Sequence, residues 1–196
     1  MTAPDPTPKT KRPPRPLPPG AEGVKRRIEE ILRVDHAGEY GAVHIYRGQK
    51  AVFAKTAHKR EIAEQLDEMK GHEEEHLAHF DALLKARGAR PTALAPFWRL
   101  GGFMMGATTA LMGEKAAHAC TAAVETVIEG HYADQIAEIE DTDPELAKTL
   151  AQFREDELHH RDIALEGGAE DTPGYKLISG VIGGICKLAI KTSEKI

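Results

Sequence analysis

Glutamate and histidine stand three residues apart at two places in this sequence, Glu73 with His76 and Glu157 with His160, and lone glutamates stand at Glu39 and Glu125. Three residues is just under one helical turn, so each Glu-x-x-His pair would present a carboxylate and an imidazole side by side on one helix face. Four carboxylates and two imidazoles form a hard, oxygen-rich donor set. Such a set suits iron or manganese rather than the thiolate-bound zinc of structural sites. With 10 histidines and 31 acidic residues in the chain, some Glu-x-x-His pairs arise by chance, so spacing alone decides little. Their position on the helices decides more.

Helical periodicity runs from Ala21 onward, with stops that can be named. Gly88 and Pro91 end one helix, Asp143 with Pro144 begins another in N-cap and N1 positions, and Thr172 with Pro173 repeats that signal. The pattern predicts long helices over Gly23 to Ala57, Arg60 to Arg87, Leu111 to Ile139 and Asp143 to Gly167, then a shorter one from Pro173 to about Lys191. Strand patterns are absent. In the first helix the apolar stripe reads Ile28, Leu32, Asp35, Glu39, Ala42, Tyr46, with an acid where a leucine belongs. The second reads Ile62, Leu66, Met69, Glu73, His76, Phe80, Leu83, and the fourth Leu146, Leu150, Phe153, Glu157, His160, Ala164. In the third, Leu111, His118, Thr121, Glu125, Ile128, Tyr132 and Ile139 place a single glutamate mid-stripe.

Burying four carboxylates without compensation costs several kcal/mol per ion, more than a domain's margin of stability. The stripes carry no lysine or arginine near the acids, which leaves metal ions or protonation. One glutamate from each of two helices plus Glu-x-x-His from each of the other two supplies six ligands for two metals in a four-helix bundle. The order Glu39, Glu73/His76, Glu125, Glu157/His160 also repeats at nearly equal spacing, as a duplicated helix hairpin would give. The predicted fold is therefore all-α, an antiparallel four-helix bundle with one or two further amphipathic or interfacial helices, and the predicted metal is iron.

Four segments carry a resemblance to a known family: "RVDHAGEYGAVHIYRGQ" (Arg33 to Gln49), "EEEHLAHF" (Glu73 to Phe80), "ACTAAVETVIEGHYADQI" (Ala119 to Ile136) and "FREDELHHRDIAL" (Phe153 to Leu165). They resemble the signature segments of the demethoxyubiquinone hydroxylase family, and the likeness runs from Val24 to the C-terminus. The resemblance implies a ferritin-like, membrane-bound di-iron monooxygenase of ubiquinone biosynthesis, with Glu39, Glu73, His76, Glu125, Glu157 and His160 as ligands to two Fe ions. It implies O2 as co-substrate, a polyprenyl benzoquinol as substrate, hydroxylation of the demethoxyubiquinol ring, and NADH as a source of electrons. "GGFMMG" is not the G-x-G-x-x-G of a nicotinamide fold, so electrons could equally arrive through the quinone. The implied setting is the cytoplasmic face of a bacterial cell membrane, or the matrix face of the mitochondrial inner membrane in a eukaryote. Other ubiquinone-biosynthesis proteins and a second copy of the chain are further candidate partners.

Supporting roles are read less directly. Asp35, one turn before Glu39, could hold the outer nitrogen of a ligand histidine, or act as a cap or ion-pair partner. Tyr132, on the stripe, and His131 could relay an electron or a proton, or simply pack. The remaining histidines, His72 among them, read as ordinary surface or core residues. Three alternatives share the six residues: a ferritin-like iron-storage or peroxide-scavenging protein, a di-iron hydroxylase of another quinol position, and a metal-free scaffold.

The uncharged stretch Leu100 to Gly113, preceded by Phe97 and Trp98, is too short to span a bilayer and reads as an interfacial segment or a buried helix. The C-terminal helix is amphipathic, with Lys176, Lys187, Lys191 and Lys195 beside an apolar face, as for a helix on anionic lipid or across the bundle. Residues 1–20 hold most of the chain's 12 prolines and read as a disordered tail without a targeting signal, in which Lys9, Lys11, Arg12 and Arg15 could touch lipid; residues 21–196 form one domain. Net charge is −5 with both signs interspersed, which argues against a nucleic-acid partner. Cys120 and Cys186 lack metal-type spacing and read as small buried hydrophobes of a reducing compartment.

Overall fold

The computed structural model describes residues 19–196, so the proline-rich tail and its basic residues lie outside the described residues. Six α-helices follow one another: α1 (Ala21–Phe53), α2 (Arg60–Arg87), α3 (Ala95–Met112), α4 (Glu114–Ile139), α5 (Pro144–Glu166) and α6 (Tyr175–Ser193). Single 3-10 turns stand at Ala57–Lys59 and Ala169–Asp171. No strand occurs among the described residues. The all-α bundle expected from the sequence is the observed fold, with two helices beyond the four.

The hairpins α1–α2 and α4–α5 form the bundle. Each joint has a local cause. Gly88 takes the left-handed conformation (φ 68°) that ends α2 by accepting a turn no side-chain-bearing residue favours. Asp143 caps α5 by accepting from the Leu146 amide, with Pro144 in the first turn, and the same carboxylate pairs with Arg87 at the end of α2. Ile28, Leu32, Phe80, Tyr132, Leu146 and Leu150 fill one end of the bundle, and Ala42, Tyr46, Phe53, Leu66, Met69 and Ala117 fill the other. The six site residues lie between these two apolar layers.

Two expectations need correction. The first helix ends at Phe53 rather than Ala57. Leu111 does not begin the third bundle helix: it lies in the last turn of α3, 76% exposed, and Gly113 (φ 121°) breaks the chain before α4 starts at Glu114. The uncharged stretch is thus a helix in its own right, packed along α1 and leaving Phe97, Leu100 and Met104 exposed.

Glycines make the α1–α3 contact. A Cβ at Gly48 would collide with the Phe103 carbonyl and one at Gly106 with the Ile45 carbonyl, while one at Gly102 would sit 2.7 Å from the Gly41 carbonyl oxygen. The facing atoms are backbone and cannot swing aside. Gly106→Ala should therefore cost about 3 kcal/mol, the upper end for overpacking, in a chemical-denaturation experiment. Gly180→Ala on α6, where a Cβ meets open space, should instead gain up to about 1 kcal/mol from helix propensity. Equal effects at the two positions would contradict this packing.

At the far end of the bundle, buried Arg27 pairs with Glu138 (2.8 Å) and Glu194 (2.9 Å), and Arg33 donates to the Glu194 carbonyl. These bonds fix the end of α6 against α1 and α4. Trp98 Nε1 donates to Ser193 Oγ at 3.0 Å, tying α3 to the same point.

Candidate metal centre

All six residues singled out by the stripes are buried and meet in the bundle interior. Glu39, Glu73, Glu125, Glu157 and His160 are no more than 1% exposed, and His76 only 3%. Donor atoms of Glu39, Glu73, His76 and Glu157 lie within 4.8 Å of one another, and so do those of Glu73, Glu125, Glu157 and His160. The two groups share Glu73 and Glu157. The shared residues come from α2 and α5, and each group adds one terminal glutamate, from α1 or from α4.

Hydrogen bonding sorts the carboxylates in the same way. Tyr46 Oη donates to Glu125 Oε1 at 2.7 Å, and Tyr132 Oη donates to Glu39 Oε1. Each terminal glutamate therefore has one oxygen tied by a phenol, while its Oε2 has no hydrogen-bond partner. Glu73 and Glu157 have no partner on either oxygen, and Nδ1 of both histidines has none. Buried polar atoms without partners are costly and rare. Here they all face one small space. One free oxygen suits a terminal ligand, two suit a carboxylate shared between neighbouring cations, and a free Nδ1 suits an imidazole ligand, so the residues fit a pair of hard metal ions.

Charge points the same way. The ion pairs of Glu39, Glu73 and Glu157 among the described residues are with His76 and His160, at 3.0 to 3.5 Å, and none involves lysine or arginine. Burial, and then the charge of Glu157, push the Glu73 and Glu125 carboxyls well above the usual range. Burial also opposes ionisation of Glu157, but the His160 and His76 rings beside it, at 3.5 and 3.4 Å, outweigh it and hold that carboxyl low. His76 is the mirror case: burial pulls it down, while Glu157 and Glu39 raise it to about 11. Without cations, protons would have to neutralise these carboxylates.

A family model described as ubiquinone biosynthesis protein COQ7 matches residues 26–193. The chain belongs to the COQ7 family. A Rhodospirillum rubrum protein named 3-demethoxyubiquinol 3-hydroxylase is 47% identical over 178 residues, 91% of this chain and 82% of that one. A Bos taurus protein named NADPH-dependent 3-demethoxyubiquinone 3-hydroxylase, mitochondrial, is 44% identical over 173 residues, covering 86% and 78% of the two chains. A Saccharomyces cerevisiae protein named 5-demethoxyubiquinone hydroxylase, mitochondrial, is 38% identical over 185 residues with the same coverage.

In this COQ7-family chain the supporting residues have identifiable partners. Asp35 does not hold a ligand histidine: its Oδ1 accepts from Gln135 Nε2 at 2.8 Å, and His131 Nε2 lies 3.7 Å away. Asp35 faces α4, whereas the outer nitrogens of both histidines point across the α2–α5 contact. There His76 Nε2 donates to Asp156 Oδ2, and His160 Nε2 meets His72 Nδ1, each at 3.0 Å. His131 binds the Gln135 amide at 2.9 Å, and burial lowers its basicity. Tyr132 reaches the centre directly, and so does Tyr46, read from sequence only as a stripe residue. One signal was available: Tyr46 and Tyr132 each follow the glutamate of their own helix by two turns, and each bonds the glutamate of the other half.

An apolar cavity of about 620 Å³ is walled by α1, α3, α4 and α6, so two of its walls are the helices that carry Glu39 and Glu125. Ala42, one turn after Glu39, and Val124, next to Glu125, are among its lining residues. Cys186 lines it as well, while Cys120 is fully buried; burial pushes both thiols up to about 12, in keeping with their reading as small hydrophobes. No helix of the described residues is long and apolar enough to cross a membrane.

Proposed function

We propose that this chain is a di-iron monooxygenase that hydroxylates the ring of demethoxyubiquinol in ubiquinone biosynthesis. The observation that carries the proposal is the pair of overlapping four-residue donor groups, two of whose helices also wall an apolar cavity, in a fold of this family. The names of the relatives supply the substrate class. Two bound ferrous ions would supply the redox chemistry by which O2 is split, one atom entering a ring carbon and the other leaving as water.

The chain's own residues do the rest. Glu73 and Glu157 would be shared between the ions; Glu39 with His76, and Glu125 with His160, would complete the two positions. Burial, and then nearby glutamate charges, raise both phenols well above their usual value, so Tyr46 and Tyr132 keep their protons. Held so, each phenol fixes one oxygen of its glutamate and leaves the other available to a metal. The cavity accepts the prenyl tail and excludes water from the reacting ring. Exposed Phe97, Leu100, Met104 and Leu111 on α3, with Leu177 and Leu188 on α6, form an apolar exterior that we assign to a membrane surface, from which a quinol can enter. That exterior weighs against the storage alternative. In a bacterium the surface would be the cytoplasmic face of the cell membrane. The described residues contain no strand on which a nicotinamide fold could be built, so NADH, if it is the donor, would act on the quinone or through a partner.

Anaerobic reduction of the iron-loaded protein with a demethoxyubiquinol analogue, followed by labelled O2, tests the reading. Label should appear in a new ring hydroxyl of the product. Release of all label as water or peroxide, with unchanged quinol, would rule the reaction out.

A further inference from the structure

Each half of the site lends one residue to the other. Asp156, which accepts from His76 Nε2, immediately precedes Glu157; His72, which meets His160 Nε2, immediately precedes Glu73. The two therefore occupy the same place in the two hairpins. Around them the six candidate ligands and their two phenols are matched across the halves: Glu39 with Glu125, Tyr132 with Tyr46, Glu73 with Glu157, and His76 with His160. The groups that meet the outer histidine nitrogens differ, a carboxylate on one side and an imidazole on the other.

The difference bears on ligand strength. Nδ1 of both histidines faces the carboxylates, so a metal there leaves the proton on Nε2 and makes each ring a donor outward. Asp156 accepts that proton's bond as an anion and makes His76 the more basic ligand. His72 can accept only through the lone pair of a neutral ring, its own proton being on Nε2. It stacks nearly parallel to His160, with centroids 5.3 Å apart and planes 12° from parallel, which holds the ring without lending it charge.

We infer that the two metal positions are unequal, the one built on Glu39 and His76 binding more tightly than the one built on Glu125 and His160, with Asp156 and His72 as the positioning residues that set the order. The inference rests on the di-metal reading proposed above.

Anaerobic titration with Co(II), followed by d–d absorption and chelator competition, separates the two. The wild type should fill in two spectrally distinct steps, at least about tenfold apart in affinity. Asp156→Asn should weaken the tighter step by roughly 10- to 100-fold and leave the other in place. Asp156→Glu should restore it, and His72→Asp should tighten the weaker step. Melting of the metal-free variants, which a merely structural role would move, should stay close to wild type. Equal wild-type steps, or an Asp156→Asn variant that weakens both steps alike, would overturn the inference and leave the metal centre standing. A wild type that takes up no cobalt would remove the di-metal reading and this order with it.

Discussion

Glu157→Gln should abolish tight metal binding and reduce quinol hydroxylation by more than about 100-fold. Altering an outer hydrogen-bond partner of a metal ligand costs up to about that factor, and Glu157 is closer to the centre than any such partner. It belongs to both donor groups, is fully buried, and lies within 3.5 Å of both histidines. An amide keeps the volume but offers one weak oxygen donor in place of two anionic ones, so both positions lose a ligand together. The metal-free fold should survive. Glutamine removes one of the charges that repel Glu73 and Glu125, although His76 loses a partner. Metal content per chain, the melting shift on adding Mn(II), and the labelled-O2 assay should fail together. A variant that retained two metals and full turnover would show that Glu157 is not a shared ligand.

The placement of these six residues was legible because burial of a charge breaks a pattern that is otherwise simple. In each bundle helix polar residues interrupt a stripe that is otherwise largely apolar, and helical periodicity is strongest in long helices packed on one face. The α3 helix lacked that signal for a physical reason. One face packs on α1 through Gly102 and Gly106, and the other exposes Phe97, Leu100 and Met104, so both faces are small or apolar and no polar side marks the period.

His72 and Asp156 escaped for a different reason. They lie at the edge of their helices, partly exposed, where a histidine or an aspartate usually means a solvated surface. Their role depends on what the opposite helix brings to them, and that contact joins residues 80 and 88 positions apart. Sequence spacing within one helix carries no record of it. Comparison of the two hairpins does: the residue before each Glu-x-x-His glutamate, like the tyrosine two turns after each lone glutamate, acts on the other half.

Metal-loaded and metal-free protein should diverge in stability as pH rises from about 6.5 to about 8, the metal-free melting temperature falling and the Mn(II)-loaded one holding or rising. In an unfolded chain the carboxyls titrate near about 4.3 and histidine near about 6.5. In the metal-free fold Glu73 and Glu125 are raised well above that, by burial and then by Glu157, and His76 stands at about 11, held up by Glu157 and Glu39 against the opposing effect of burial. At Glu73, Glu125 and His76 the native state therefore binds more protons than the unfolded state, and their contribution to stability drops as these are withdrawn; His44, His118 and His131, lowered by burial, run the other way up to about 6.5, so the fall is read above that value. Glu157 has the opposite sign, since its carboxyl is held low. Its contribution is complete above the ordinary carboxyl value and is lost only in stronger acid, outside the window. Metal binding requires the deprotonated ligands and releases these protons, so each one displaced adds up to about 1.4 kcal/mol of binding per pH unit. A free metal concentration about 1,000 times the dissociation constant would stabilise the fold by about 4 kcal/mol per site. Parallel melting curves would mean that the metal does not replace protons on Glu73, Glu125 and His76, and the cations would have to sit elsewhere in the bundle.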